Sequence, residues 1–272
     1  MMFRTRLISG IVLVILAIFF IRTGGDLLLG VLLVISITGM TELYKAAKLE
    51  TSLAGFIGYM AAAAYYAMLR FWDMRYLPLL INVFLIVLLA VFVLSYPNYS
   101  SNQIILVFFG LFYVAMMLSF IYQARMLRDG RFFVWLIFFS SWGCDTCAYC
   151  VGMLFGKHKL APKLSPKKSI EGSIGGIAGA ALLGLIYGAC INAFVGFLPG
   201  RLWQYPLICG VGAAISQIGD LAASGIKRNY SIKDYGKLIP GHGGILDRFD
   251  SVIFTSPIIY FLGLYFSMKK GL

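Results

Sequence analysis

Continuous apolar stretches of 15 to 24 residues, separated by short polar breaks, run along nearly the whole chain. A helix needs about 20 predominantly apolar residues to cross a bilayer, whereas a membrane β-barrel shows ~10-residue segments of alternating character. The pattern predicts an all-α, polytopic integral membrane protein with about nine transmembrane helices, at 7–21, 27–41, 51–69, 77–95, 104–122, 132–155, 174–196, 206–226 and 252–267. The first stretch is short and follows Arg4 and Arg6, as a secretory signal would. It runs into Arg22-Thr-Gly-Gly without a small-x-small cleavage site and is read as retained.

Composition narrows the class. Of 272 residues, 60% are hydrophobic and 12% charged, against about 45–50% and ~25% in soluble domains. That excludes an ordinary cytosolic protein, a disordered chain and a secreted disulfide scaffold. The 23 basic and 11 acidic residues leave a net charge of +12. In a soluble chain this would suggest nucleic acid. Here much of the charge sits in short loops between apolar stretches, where it sets topology and meets anionic headgroups, so no nucleic-acid partner is expected. A site for phosphate-bearing substrates is compatible with the same charge. Counted loop by loop, 14 Lys and Arg fall on the side of the N-terminus and 9 on the other. The heavier side is expected to be cytoplasmic, with loops 156–173 and 227–251 on it and the C-terminus opposite. The five cysteines all lie in apolar segments, against a disulfide framework. Cys144-x-x-Cys147-x-x-Cys150 superficially resembles an iron–sulfur run but lacks a nearby fourth Cys followed by Pro, and is read as small packing residues.

The two parts of the chain differ. Residues 1–131 read as an N-terminal transmembrane scaffold, and 132–272 as a C-terminal transmembrane catalytic region that collects glycine, intramembrane carboxylates and the two long polar loops. Asp145 lies in the sixth stretch and Asp220 in the eighth. A carboxylate at a helix centre costs about 2.5–3.5 kcal/mol on insertion scales and is by default functional. At 1.5 Å per residue, Asp145 would sit roughly 15 Å and Asp220 about 10 Å from the basic-loop side. Both carry polar or small neighbours at helical spacing: Ser141, Tyr149, Gly152 and Gly156 for one, Gln217, Ser224 and Lys227 for the other. A polar active-site cavity among the C-terminal helices is one reading; a packing seam of small and polar residues is the other.

The loop after the sixth stretch, Gly156 to Gly172, holds five lysines and two prolines with Ser165 and Ser169. Ammonium groups, hydroxyls and glycine N–H groups suit a phosphate cradle, although the segment is no Walker A loop. A basic loop lying on anionic lipid is the plainer alternative. The loop after the eighth stretch includes Pro240-Gly-His-Gly-Gly244, whose three glycines permit an unusual turn. His242 stands within it as a turn residue or a donor. Asp247 and Asp250 are three apart, on one face if helical. With Asp220 they form a possible carboxylate cluster for a hard cation such as Mg²⁺.

These residues resemble the phosphatidate cytidylyltransferase (CDP-diacylglycerol synthase) family. Its C-terminal signature, Ser-x-apolar-Lys-Arg-x4-Lys-Asp-x-Gly-x2-apolar-Pro-x-His-Gly-Gly-apolar-x-Asp-Arg-apolar-Asp, runs unbroken from Ser224 to Asp250. Asp145-Thr-Cys-Ala-Tyr149, Phe155-Gly-Lys-His-Lys and Ser165-Pro-Lys-Lys-Ser-x-Glu-Gly172 fit the upstream pattern, with Ser169 and Ile170 where the family often has Thr and Trp. The resemblance implies a nucleotidyltransferase that moves CMP from CTP to phosphatidate, giving CDP-diacylglycerol and pyrophosphate for phospholipid biosynthesis. It also implies Mg²⁺, with room for a second cation such as K⁺, and a homodimer among the lipids of a bacterial-type inner membrane. On this reading Asp220 and Asp247 hold the metal and Asp250 completes its shell. Lys167, Lys168, Lys227, Arg228 and Arg248 neutralise phosphates; Ser165, Ser224 and His242 donate hydrogen bonds. Asp145, and Lys233 with Asp234, serve substrate binding or structural ion pairing. The lipid phosphate, mostly dianionic near neutral pH, would attack the α-phosphorus in line without a strong general base. An ion-coupled carrier would also place aspartates in broken, glycine-rich helices, but no inverted repeat is visible. The Asp-Gly-x2-Ala-Arg pattern of CDP-alcohol phosphotransferases is absent.

Overall fold

The computed structural model describes residues 2–196, 200–239 and 243–268. Each of the nine apolar stretches is helical: α1 Met2–Thr23, α2 Gly25–Ala46, α3 Leu53–Phe71, α4 Leu77–Leu94, α5 Ser101–Met126, α6 Gly130–Phe155, α7 Ile170–Val195, α8 Gln204–Asn229 and α9 Leu246–Met268. Among the described residues seven are long and apolar enough to cross a membrane, α4 together with a short 3₁₀ turn at Met74–Tyr76. The protein is a polytopic helical membrane protein. The apolar part of α1, Gly10–Thr23, is shorter, and α3 alternates its apolar residues with glycine, alanine and tyrosine.

Helices α3 and α5 start where polar caps take up unpaired backbone N–H groups. Ser52 accepts from Gly55 N. Ser100 and Gln103 form a reciprocal capping box, and Gln103 Nε2 also reaches the Ala47 carbonyl at 3.0 Å. Both α5 and α6 contain a π-turn, at Leu111–Met116 and Phe139–Gly143. Such a turn displaces the regular i→i−4 ladder and frees carbonyls for other donors.

The chain forms two compact units, one of Met1–Ser119 with Asp234–Arg248, the other of Phe120–Lys233 with Phe249–Leu272. The first is centred on the fully buried tyrosines Tyr44, Tyr65 and Tyr66. A buried phenol must find a partner. The Tyr44 hydroxyl donates to Val107 O at 2.8 Å, Tyr66 to Ala115 O in the π-turn, and Tyr65 pairs with Ser119 Oγ. Gly58 and Gly110 make room for the Tyr44 ring, since a Cβ at either would collide with it.

The second unit is built on the glycine face of α7. Gly172, Gly176 and Gly179 let α6 approach at Ala148, Cys144 and Cys147, while Gly184 and Gly188 admit Cys209 and Tyr205 of α8. Small residues permit this backbone proximity between membrane helices. Three of the five cysteines thus serve as packing residues.

The basic loop after α6 is an antiparallel hairpin, β1 Lys159–Ala161 and β2 Ser165–Ser169, pairing Lys159 with Ser169 and Ala161 with Ser165. Its strands have little intrinsic β pattern. They are held by Glu171 in the first turn of α7, whose carboxylate accepts from the Lys157 and His158 backbone N–H groups and meets His158 Nδ1 at 2.6 Å.

Candidate active site

The hairpin positions the basic residues of the second unit. Side chains alternate across a strand, so the neighbours Lys167 and Lys168 diverge: Lys167 is exposed, and Lys168 is half-buried. The Lys168 ammonium forms an ion pair with Asp220 of α8, each side chain 25% exposed. That degree of burial separates the pair from an ordinary surface contact, which contributes little.

Gly219, the residue before Asp220, brings α8 against α9. A Cβ there would stand 2.9 Å from the Asp250 carbonyl and from Phe254 Cβ. Asp250 is buried, and its Oδ1 accepts from Ser251 N at 2.7 Å. It lies within electrostatic reach of Asp220, Lys227 and Asp145. Asp145 on α6 accepts from Ser251 Oγ at 3.4 Å. Three carboxylates and two ammonium groups thus gather in one region of this unit. Asp145 is exposed, whereas Lys168, Asp220 and Asp250 are half-buried or buried, and opposed charges withdrawn from solvent interact more strongly than in water. Among the described residues, no three His, Cys, Asp or Glu side chains close into a set that could hold a metal ion.

The remaining sequence candidates of this unit are placed variously. Ser165 is half-buried at the start of β2, and Ser224 and Lys227 are half-buried on α8. Arg228 is exposed and donates to Ile232 O at 3.4 Å, and Lys233 is exposed in the following loop. Gln217, one turn before Asp220, has a structural part instead. Its amide donates to Ser173 O at 2.9 Å and to Cys144 Sγ, while its oxygen accepts from Ser173 Oγ. The polar stripe of α8 is therefore a packing seam at Gln217 and a charged site at Asp220.

In the first unit the other half of the signature makes different contacts. Asp247 is buried, and its Oδ2 accepts from Tyr235 N at 2.8 Å and Gly244 N at 3.0 Å. Arg248 follows, half-buried, in the same turn. His242 lies outside the described residues. Sequence reasoning missed Glu42 of α2, a buried carboxylate that accepts from Ile245 N at 3.0 Å and Leu246 N at 2.8 Å. The only signal was an acidic residue inside the end of an apolar helix, in Met40-Thr-Glu-Leu-Tyr-Lys45.

A family model described as the cytidylyltransferase family matches residues 4–266. A protein of Bacillus subtilis strain 168 named phosphatidate cytidylyltransferase is 30% identical over 270 residues, covering 97% of this chain and 98% of its own. Proteins of the same name from Staphylococcus saprophyticus and Staphylococcus aureus strain COL are each 34% identical over shorter alignments of 176 and 179 residues. The chain spans 65% of the length of these staphylococcal relatives, and the alignments cover 65% of this chain. With the family model matched from Arg4 to Phe266, the chain belongs to the cytidylyltransferase family.

Proposed function

We propose that this chain is a phosphatidate cytidylyltransferase, transferring CMP from CTP to phosphatidate with release of pyrophosphate. The observation that carries this reading is the Lys168–Asp220 pair beside buried Asp250, with Lys227 in electrostatic reach. The site offers positive charge for phosphates together with oxygen donors for a hard cation. The names of the relatives support the choice of substrates.

A phosphatidate oxygen would form the new bond to the α-phosphorus as the bond to the β-phosphate oxygen breaks, and pyrophosphate would carry away the electron pair. The attacking phosphate is mostly dianionic near pH 7, so no side chain has to remove a proton. The barrier is repulsion between two polyanions, and the remedy is positioning with electrostatic neutralisation. Lys168 would exchange its carboxylate partner for a phosphate. Lys227, Arg228 and Arg248 would neutralise further phosphate oxygens, with exposed Lys167 adding a weaker, solvent-screened charge, while Ser165, Ser224 and His242 donate hydrogen bonds. Lys233 and Asp145 would line the approach of substrate.

Although no three such side chains close into a metal set among the described residues, two carboxylates of this unit have the chemistry that a divalent cation such as Mg²⁺ takes. Asp220 and Asp250 supply hard carboxylate oxygens, and the Lys168 ammonium already pairs with Asp220 as a stand-in positive charge. Asp247 keeps the ligand part that the family resemblance gives it. When bound, such a cation would neutralise charge on the transferring phosphate. A second cation such as K⁺, a homodimer and a bacterial inner-membrane location belong to the same proposal, with both basic loops facing the cytoplasm, where CTP is found.

The test is α-³²P-labelled CTP with purified, detergent-solubilised protein and phosphatidate. Labelled liponucleotide is the expected product; solute flux in liposomes without any such product would favour a carrier. For orientation, a cysteine replacing the exposed hairpin residue Lys163, on a cysteine-free background, should resist an impermeant thiol reagent in intact cells. Labelling from outside would reverse the topology.

A further inference from the structure

The Ser224–Asp250 signature contains turn residues and charged residues, but nothing in it says what holds its glycine-rich end in shape. In the first unit that task falls to a residue some 200 positions earlier. Glu42 is 7% exposed near the end of α2. Its Oε1 accepts from Ile245 N and its Oε2 from Leu246 N, the donors that begin α9 and have no partner within the helix. A carboxylate at a helix N-terminus is favoured by both hydrogen bonding and the helix dipole. The chain around it is shaped to fit. A Cβ at Gly236 or at Gly244 would collide with the Glu42 carboxylate, and Gly39, almost one turn earlier on α2, packs toward Leu246.

The same few residues are fastened a second time from within. Asp247 Oδ2 accepts from Tyr235 N and Gly244 N, tying both sides of the loop to the first turn of α9. Gly243 has φ +91° beside the Asp247 carboxylate, a conformation that side chains rarely adopt. Two buried carboxylates thus act on one short segment, Glu42 on the N–H groups of residues 245 and 246 and Asp247 on those of 235 and 244. A buried carboxylate is costly unless its hydrogen-bonding capacity is met. Here backbone donors, which any sequence supplies but only this fold aligns, help to meet it.

We propose that Glu42 is a positioning residue for the transfer reaction: its buried carboxylate fixes the start of α9 and thereby sets the backbone that carries Asp247. The kinetic part of this proposal rests on the cytidylyltransferase reading; the structural part does not. Glu42→Gln keeps the shape and one acceptor oxygen but turns an NH₂ group toward a backbone N–H, so one of the two bonds is lost. Glu42→Asp keeps the charge on a shorter stem.

Both properties are measured on full-length protein in detergent. Hydrogen exchange of peptides covering 243–248 should accelerate about 10- to 100-fold in Glu42→Gln, with less change in Glu42→Asp. Peptides around Val107, where Tyr44 is anchored, should be unchanged. In the transfer assay kcat should fall by a similar factor while KM for CTP moves less than about threefold, and Glu42→Asp should recover part of the loss. If Glu42→Gln yields no folded protein, Glu42→Asp and Gly244→Ala are read the same way. Unchanged exchange at 243–248 would overturn the clamp. Faster exchange with wild-type kcat would overturn the positioning role. Wild-type protein that forms no liponucleotide would instead defeat the activity reading, while the exchange data still decide the clamp.

Discussion

The buried or half-buried carboxylates of the two units meet different partners. In the first unit Glu42 and Asp247 face backbone N–H groups. In the second, Asp220 faces an ammonium group, and Asp250 has Asp220, Asp145 and Lys227 as charged neighbours. Backbone donors cannot leave without unfolding the segment, so the first arrangement fastens. A lysine side chain can swing to another anion, so the second arrangement can exchange partners with a substrate. An intramembrane carboxylate therefore does not by itself mean chemistry. What it is paired with separates a fastener such as Glu42 from a reactant such as Asp220, while Asp247, fastened by backbone donors and proposed as a ligand, has both parts.

The largest effect should come from the reactant side. Asp220→Asn keeps the shape but loses the charge, leaving Lys168 unmatched; liponucleotide formation should fall roughly 100- to 1,000-fold. An assay with near-normal turnover in a well-folded Asn variant would move Asp220 into the fastener class. Lys168→Ala is next, with an expected loss of about 10- to 100-fold in kcat/KM and partial recovery in Lys168→Arg. Its neighbour on the opposite face of β2 sharpens the contrast: Lys167→Ala should change kcat/KM by only a few-fold, roughly what an exposed charge contributes. Gly219→Ala tests the ground between. Overpacking against the Asp250 carbonyl should cost about 1–3 kcal/mol, read as a lower thermal midpoint in detergent.

Much of the fold was legible because a spanning helix writes itself as a long apolar run, and every such run is a helix. The count of crossings was less so, since α3 mixes tyrosine and alanine into a helix that buries Tyr65 and Tyr66. The β-hairpin was hidden because Lys-Leu-Ala and Ser-Pro-Lys-Lys-Ser carry no strand pattern; Glu171 holds it from α7. Asp220 stood out as a carboxylate in an apolar helix, and Lys168 as part of a motif. Their pairing was invisible, being a contact across 52 positions. Glu42 showed only as an acidic residue at the end of an apolar helix, and its role was invisible for a deeper reason: its partners are backbone N–H groups, which every residue but proline possesses and no sequence marks.

Binding of Mn²⁺ as a probe for the divalent cation tests most directly whether Asp220 is a reactant rather than a fastener. Free Mn²⁺ is measured by its paramagnetic resonance signal in solutions of wild-type, Asp220→Asn and Lys168→Met protein. Asp220→Asn should weaken Mn²⁺ binding about tenfold or more, whereas Lys168→Met, which removes the competing ammonium, should leave it equal or tighter. Wild-type affinity in Asp220→Asn, or an equal loss in Lys168→Met, would contradict the account and make the Lys168–Asp220 pair a structural ion pair.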